Sequence, residues 1–167
     1  MASQGDAGPR RYLVVANQTL DSDELAEDIR ARAAAGPSEF WIVAPATAVK
    51  DLASKSMPTP AMPVMGGVLS VPGTREDARK LAQAKLEAAL RNLSAGGVTI
   101  DGEVGDADPI RAVKAALGRR QFDEIIVSTL PRRLSRWLRG DLPARLEREY
   151  RVPVSHVEVP KFTLRQA

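Results

Sequence analysis

Short, continuous apolar runs alternate along this chain with amphipathic helical patterns. The three clearest runs are residues 12–16, 40–43 and 125–127. A run that is apolar at nearly every position is typical of a strand covered on both faces of a parallel sheet. A helical pattern follows each run, so we expect right-handed crossovers to join successive strands. The sequence therefore predicts an α/β fold.

Two further strands complete the predicted sheet. Residues 98–104 alternate apolar and polar side chains, which indicates a strand exposed on one face or near an edge. Residues 152–159 alternate Val with Ser, His and Glu and include Pro153, which cannot donate to a strand ladder and suits an edge strand. We expect a single doubly wound, five-stranded parallel sheet of Rossmann-like type.

Capping residues mark where the helices begin. Asp21 or Ser22 is expected to cap the first helix and Thr74 the second. Asp108 followed by Pro109 is a strong start signal, because proline suits the first helical position. Asp141, before Leu142-Pro143, is interpreted in the same way as the N-cap of the last helix.

The predicted domain occupies residues 11–160, between a flexible tail at 1–10 and a second tail at 161–167. Residues 46–74 form a long loop rich in Pro, Gly and Met, with no room for a long regular element. The loop is consistent with a segment packing on its own surface. It is also consistent with an adaptable apolar cover over a ligand.

Composition restricts the class of protein. The chain has 167 residues and a net charge of +3, which is too balanced to indicate nucleic acid as a partner. It contains no cysteine, so disulfides, thiolate nucleophiles and cysteine metal sites are excluded. The start lacks a signal-peptide pattern, and no apolar run approaches the length of a membrane span. We expect a cytoplasmic protein without a membrane partner.

The stretch after the fourth strand holds the main candidate for a ligand site. Residues 123–142 read DEIIVSTLPRRLSRWLRGDL, a buried strand followed by a polar, arginine-rich loop. In α/β sheets, ligands bind at the carboxyl ends of the strands, where the strand order reverses. We expect the loops after the first four strands to share this edge, with a crevice if the order reverses between strands one and four.

The candidate binding residues lie at these strand ends and in the arginine-rich loop. The apolar members would flank a flat base, while Arg132, Arg133 and the Gly140 amide would contact phosphate. The arginines are equally consistent with the solvated side of a short amphipathic helix. The full set is Ala16, Asn17, Gln18, Val43, Gly105, Asp106, Val127, Ser128, Thr129, Arg132, Arg133, Gly140 and Asp141.

The order of these motifs resembles the universal stress protein (UspA-like) family over residues 11–159. The matching segments are Val14-Val15-Ala16-Asn17, Gly105-Asp106-Ala107-Asp108-Pro109-Ile110, Asp123-Glu124-Ile125-Ile126-Val127, Gly140-Asp141-Leu142 and Val152-Pro153-Val154-Ser155-His156-Val157. The resemblance implies an adenine nucleotide alpha hydrolase-like fold and a non-catalytic, stress-associated or regulatory domain. It also implies ATP or AMP as a ligand in some members, and a homodimer formed through the last strand, here by Val154, His156 and Val157.

The chain departs from the family's nucleotide motif. Nucleotide-binding members carry G-x2-G-x9-G-[ST] after strand four, where this chain has Ser128, Pro131 and Gly140-Asp141. Pro131 has no N–H to offer phosphate, and the Asp141 carboxylate would repel it. The nucleotide site, if formed, is therefore a modified one.

Two other classes of function stay open. One is a nucleotide-dependent transferase or hydrolase of the same broad fold. The other is an arginine-rich interaction module that docks on an acidic protein or on nucleic acid without binding a nucleotide. No residue is assigned a catalytic role, and no metal is expected, because His156 is the only histidine. Ser155 and His156 would point to opposite faces of their strand and could not act as a nucleophile and its base.

Overall fold

The structure is a computed structural model that describes residues 8–46, 75–131 and 135–160, without the side chains of Arg136 and Arg139. The loop predicted at 46–74, apart from Ala46, lies outside the described residues, as do Thr74, Arg132, Arg133 and most of both tails. Among the described residues, no helix is long and apolar enough to cross a membrane.

Strands and helices alternate along the described chain as predicted. The elements are β1 (Arg10–Val15), α1 (Asp23–Ala35), β2 (Ser38–Pro45), α2 (Arg75–Ala95), β3 (Ile100–Gly105), α3 (Pro109–Arg119), β4 (Glu124–Thr129), α4 (Arg136–Arg139), α5 (Leu142–Tyr150) and β5 (Val154–Glu158). β1 begins at Arg10, the last residue assigned to the amino-terminal tail. The predicted edge strands are each shorter than the sequence pattern suggested.

All five strands are parallel, in the order β3-β2-β1-β4-β5. The order reverses between β1 and β4, which confirms the doubly wound α/β fold. β3 and β5 are the edge strands, and this position accounts for their alternating sequences. β1 and β4 lie inside the sheet, where both faces are covered, and this accounts for their continuous apolar runs.

Two apolar clusters cover the two faces of the sheet. Tyr12 and Val14 of β1 pack with α1 and α2 on one face, while Leu13 and Val15 pack with α3 and α5 on the other. Successive strand residues point to opposite faces, so each interior strand contributes to both clusters. We call the first the α1–α2 face of the sheet and the second the α3–α5 face.

Two of the predicted helix caps are confirmed. Ser22 accepts a hydrogen bond from the Leu25 N–H at 3.3 Å and caps α1. Asp108 accepts one from the Ile110 N–H at 2.9 Å and caps α3, with Pro109 in the first turn.

Asp141 occupies the predicted N-cap position of α5, and its carbonyl accepts a helical hydrogen bond from the Arg145 N–H at 3.0 Å, but its side chain does not cap the helix. Asp141 has a left-handed backbone, with φ 57°, and its side chain makes no capping hydrogen bond. Its N–H donates to the Leu138 carbonyl at 3.1 Å, which closes the end of α4. A left-handed residue is the usual way to end a helix, and aspartate tolerates that conformation. Asp141 therefore ends α4 through its N–H and begins α5 through its carbonyl, without a side-chain cap.

An ion cluster lies at the amino edge of the sheet, opposite the candidate site. Glu124, whose side chain is 10% exposed, pairs with Arg32 at 2.8 Å and with Arg10 at 3.1 Å, and accepts a hydrogen bond from Ser155. Both guanidiniums also lie over the Tyr12 ring. Burial favours a higher pKa for Glu124, but the Ser155 hydroxyl, Arg32 and Arg10 outweigh it, so its pKa lies below the ordinary value.

Candidate functional site

A crevice between two diverging loops is expected where the strand order reverses. After β1 the chain turns toward α1, and after β4 it continues toward α4 and α5 on the opposite face. The turn after β1 is closed by hydrogen bonds from the Leu20 N–H to the Asn17 carbonyl at 3.3 Å and from the Ser22 N–H to the Thr19 carbonyl at 3.0 Å. Backbone hydrogen bonds therefore fix the turn that follows β1. Residues 16–18 at this turn are the ones that the sequence assigned to the candidate site.

One hydrogen bond joins the turn after β1 directly to the end of β4. The Thr19 and Ser128 hydroxyls lie 2.7 Å apart, and both residues are at most 2% exposed. Buried hydroxyls need a hydrogen-bond partner, and these two hydroxyls are each other's partner. Sequence reasoning placed Ser128 in the site but not Thr19. The sequence did contain an indication for Thr19: it lies between two buried apolar elements, and a hydroxyl in such a position usually has a specific hydrogen-bond partner.

Asn17 connects the end of β1 to the end of β2. Its side-chain amide donates to the Pro45 carbonyl at 2.5 Å, and only 8% of the residue is exposed. The next residue, Gln18, is half-buried and is the more accessible amide of this turn. Asn17 therefore holds the loop in place, and Gln18 is the side chain of the two that a ligand could reach.

The apolar members of the predicted set lie below the surface. Val15 is in register with Val43 on one side and Val127 on the other, and Ala16 follows directly. Ala16, Val43 and Val127 are all 0% exposed. They form the floor beneath the site, so contact between their side chains and a base requires the overlying residues to move.

Gly105 and Asp106 lie at the end of the edge strand β3, two strands from the β1–β4 boundary. A Cβ on Gly105 would approach Ala112 Cβ to 2.8 Å and Val43 Cγ1 to 3.0 Å, so glycine here permits close packing of α3 on the sheet. The Asp106 carboxylate accepts a hydrogen bond from the Asp108 N–H at 2.9 Å. Packing and turn formation account for both residues.

Thr129 and His156 link the carboxyl ends of β4 and β5. The Thr129 hydroxyl lies 2.6 Å from His156 Nε2 and 2.9 Å from the carbonyl oxygen of Leu130. Burial lowers the pKa of His156, and nearby Glu158 opposes this only in part. The pairing was missed from sequence because it spans 27 positions and depends on strand order. Ser155 and His156 point to opposite faces, as predicted: Ser155 contacts Glu124 and His156 contacts Thr129.

The remaining predicted residues fall in three groups: the turn before α5, the two arginines after Pro131, and the edge strand β5. Gly140 and Asp141 are exposed in the turn between α4 and α5. Arg132 and Arg133, which the sequence predicts as the phosphate contacts, lie outside the described residues. Val154 and Val157 are half-buried, and His156 is exposed, on β5, whose outer edge pairs with no described strand. The structure therefore brings the β1 and β4 members together and keeps Gly105 and Asp106 apart from them.

A groove of about 600 Å³ adjoins the turn after β1 and was not foreseen from sequence. It lies between α1 and α2, with apolar walls and polar groups from Asp21, Asp23, Arg30 and Asn92. Pockets of this size hold small molecules when a few polar groups converge in them. Elsewhere, no group of three or more metal-ligating side chains occurs within the described ranges.

The fold is therefore established by geometry, while the sequence comparisons leave its family open. A scan against protein-family models finds no match to this chain, and a search of curated proteins finds no similar sequence. Membership of the universal stress protein family stays a prediction from the motifs described above.

Proposed function

We propose that this chain is a non-catalytic regulatory domain that binds an adenine nucleotide in the crevice between β1 and β4. The observation that carries the proposal is the reversal of strand order at this boundary, where open α/β sheets bind their ligands. The Thr19–Ser128 hydrogen bond at the same boundary supports it, because it holds the turn after β1 against the end of β4. The association with stress rests on the sequence resemblance alone.

Phosphate binding in this site would depend on side chains instead of a backbone cradle. Pro131 is half-buried after β4 and has no N–H to donate. The sequence places Arg132 and Arg133 next, and guanidiniums bind phosphate through paired hydrogen bonds. The exposed Gly140 amide is a further donor, beside the repulsive Asp141 carboxylate. We expect ATP or AMP as the ligand, bound more weakly than by a glycine-rich loop.

The absence of catalysis is proposed because the polar groups at this edge are already occupied. Ser128 bonds to Thr19, and Thr129, which is 3% exposed, bonds to His156 and to a backbone carbonyl. A buried hydroxyl engaged in this way is poorly placed to attack a substrate. The alternative, a nucleotide-dependent hydrolase or transferase, is favoured by one observation, the short contact between the Thr129 hydroxyl and the His156 base.

A homodimer through β5 is the proposed assembly. β5 presents an unpaired edge among the described residues, and an unpaired edge readily adds another strand. Val154 and Val157 are only half-buried within one chain and would be covered further by a second copy. Sedimentation velocity tests this directly: we expect a dimer, and a monomer at micromolar concentration would contradict the assembly.

Thermal denaturation with ATP, ADP and AMP, each with and without Mg²⁺, tests the ligand. A ligand that binds only the folded state raises its stability, by about 1.4 kcal/mol at ten times its Kd. We expect stabilisation by at least one adenine nucleotide and little by CTP, with the gain reduced in Arg132→Ala/Arg133→Ala. No stabilisation at millimolar nucleotide would refute the proposal. Nucleotide turnover abolished by His156→Ala would instead support the enzyme.

A further inference from the structure

The fold segregates charge that the sequence as a whole nearly balances. α3 carries Arg111, Lys114 and Arg119 and no acidic residue, and Arg120 follows it. On the same sheet face, α5 carries Arg145 and Arg148 against two glutamates, and Arg151 ends it. The other face is balanced. α1 has four acidic residues against two arginines, and α2 has five cations against three acidic residues, so the deficit of two on one helix cancels the excess of two on the other. The excess of positive charge therefore lies on the α3–α5 face.

Most of these cations have no acidic partner. Arg111, Lys114, Arg145, Arg148 and Arg151 are exposed and form no ion pair with any described residue. Arg120 lies 3.9 Å above the Trp41 ring centroid, and Arg119 pairs with Glu103. On the α1–α2 face, Arg32 and Lys80 each pair with an acidic residue four positions away on their own helix, while Arg30, Arg75, Arg79 and Arg91 form no ion pair with a described residue. The two faces therefore differ in net charge and not in whether their cations are paired. The cations of the α3–α5 face remain available to an anion from outside.

Helix stability does not explain this arrangement. α1 and α2 both carry acidic residues in their first turns, where negative charge favours the helix dipole. α3 and α5 carry none there, and Arg111 and Arg145 lie near the amino ends of their helices, where a positive charge is unfavourable. Both helices therefore keep cations at positions that oppose their own stability.

The partner is expected to be a regular polyanion. Arg111 and Lys114 are three residues apart and share one side of α3, as do Arg145 and Arg148 on α5. The two helices cover one sheet face, α3 over β2 and β3 and α5 over β5. Each presents a row of cations on that face. Such rows suit the repeating charge of a nucleic-acid backbone.

Other anionic partners fit less well. Protein interfaces depend on buried aromatic or apolar anchors, and the one exposed large apolar side chain among the described residues, Leu81, lies on α2. Single-stranded nucleic acid requires exposed aromatic rings for stacking. On this face Arg120 covers the Trp41 ring, and Trp137 is half-buried. A double strand needs only phosphate contacts.

We propose that the α3–α5 face, through Arg111, Lys114, Arg145 and Arg148, binds the phosphate backbone of double-stranded nucleic acid without sequence preference. The nearly balanced total charge had predicted no such partner. The segregation of charge between the two sheet faces is what changes the expectation. This surface lies on helix exteriors and is separate from the crevice at the strand ends, so its binding does not depend on a nucleotide.

Fluorescence anisotropy with labelled DNA and RNA duplexes of one sequence tests this proposal on the full chain. We expect affinity for at least one duplex to fall about 100-fold between 50 and 200 mM salt, as four phosphate contacts imply. R111Q/K114Q and R145Q/R148Q should each reduce the salt slope by about 2, and the combined variant should abolish binding. DNA and RNA offer the same phosphate chemistry, so comparing the two duplexes shows which of them is the partner.

A variant matched in charge provides the control. R30Q/R75Q/R79Q/R91Q removes four exposed cations from the α1–α2 face and should bind the duplex as the unmodified chain does. Circular dichroism would establish that both quadruple variants fold. The proposal is overturned if no duplex binds at low salt, or if the control loses as much affinity as the α3–α5 variant. Binding of polyglutamate or anionic vesicles, but not of a duplex, would also overturn it.

Discussion

The Thr19 hydroxyl lies 2.7 Å from the Ser128 hydroxyl, and this contact joins the turn after β1 to the end of β4. Both groups are buried, so removing either leaves the other without a partner. We expect Ser128→Ala to lower the free energy of unfolding by about 1–2 kcal/mol, measured by urea denaturation.

A double-mutant cycle tests the same contact more closely. Thr19→Val/Ser128→Ala removes both hydroxyls and leaves no unsatisfied donor, so its cost should be less than the sum of the single variants. A coupling of about 1 kcal/mol is expected. Fully additive effects would show that the two hydroxyls do not stabilise each other.

Close packing at Gly105 gives the second prediction. A Cβ there meets Ala112 and Val43, which belong to the core and cannot move aside freely. We expect Gly105→Ala to destabilise the protein by about 1–3 kcal/mol. Gly118 of α3 is the matched control, because a Cβ there meets nothing within 4 Å. Gly118→Ala should stabilise by up to about 1 kcal/mol through helix propensity. Equal effects would contradict the packing role of Gly105.

The Glu124 cluster predicts a loss of stability in acid. Its pKa is lowered in the folded state, so its contribution is complete above the unfolded value of 4.5 and is lost as pH falls through the folded pKa. Glu124→Gln should flatten the acid limb of the pH–stability curve. At pH 7, Glu124→Ala should cost about 2 kcal/mol, less than a fully buried pair, because Arg10 is half exposed and returns to water. An unchanged acid limb in Glu124→Gln would contradict this account.

His156 predicts a second pH dependence, at higher pH. Burial lowers its folded pKa below the ordinary 6.5, so its contribution is complete above pH 6.5 and is lost as pH falls through the folded value. Because it is the only histidine, its titration can be followed by NMR without ambiguity. Thr129→Val removes the hydroxyl at Nε2 and should change that titration. A pKa at or above 6.5 would contradict the environment described for His156.

The fold was predictable because each interior strand is covered on both faces and therefore carries a continuous apolar run. Edge strands were also recognisable from alternation and from Pro153. The Thr19–Ser128 and Thr129–His156 contacts were not predictable, because each joins residues that only the strand order β1-β4-β5 makes neighbours. Asp141 was correctly placed at the start of α5, but its side chain makes no capping hydrogen bond, because the same residue ends α4 in a left-handed conformation.

The segregation of charge was also beyond the reach of sequence reasoning. The total charge of +3 shows only a small excess of cations. Which cations share a surface depends on the assignment of α3 and α5 to one sheet face, and that follows from the reversal of strand order between β1 and β4. Local composition alone identified the arginines after β4 but not Arg111 and Lys114 of α3.

The most direct test of the central claim is an NMR titration of the isotopically labelled chain with AMP and ATP. Residues 16–19 and 127–129 flank the boundary between β1 and β4. The account predicts that their backbone amides shift together and saturably, while amides of the α3–α5 face, such as those of Arg111 and Arg145, remain in place. If no amide shifts at millimolar nucleotide, or if the shifts occur only away from this boundary, the proposed nucleotide site is wrong.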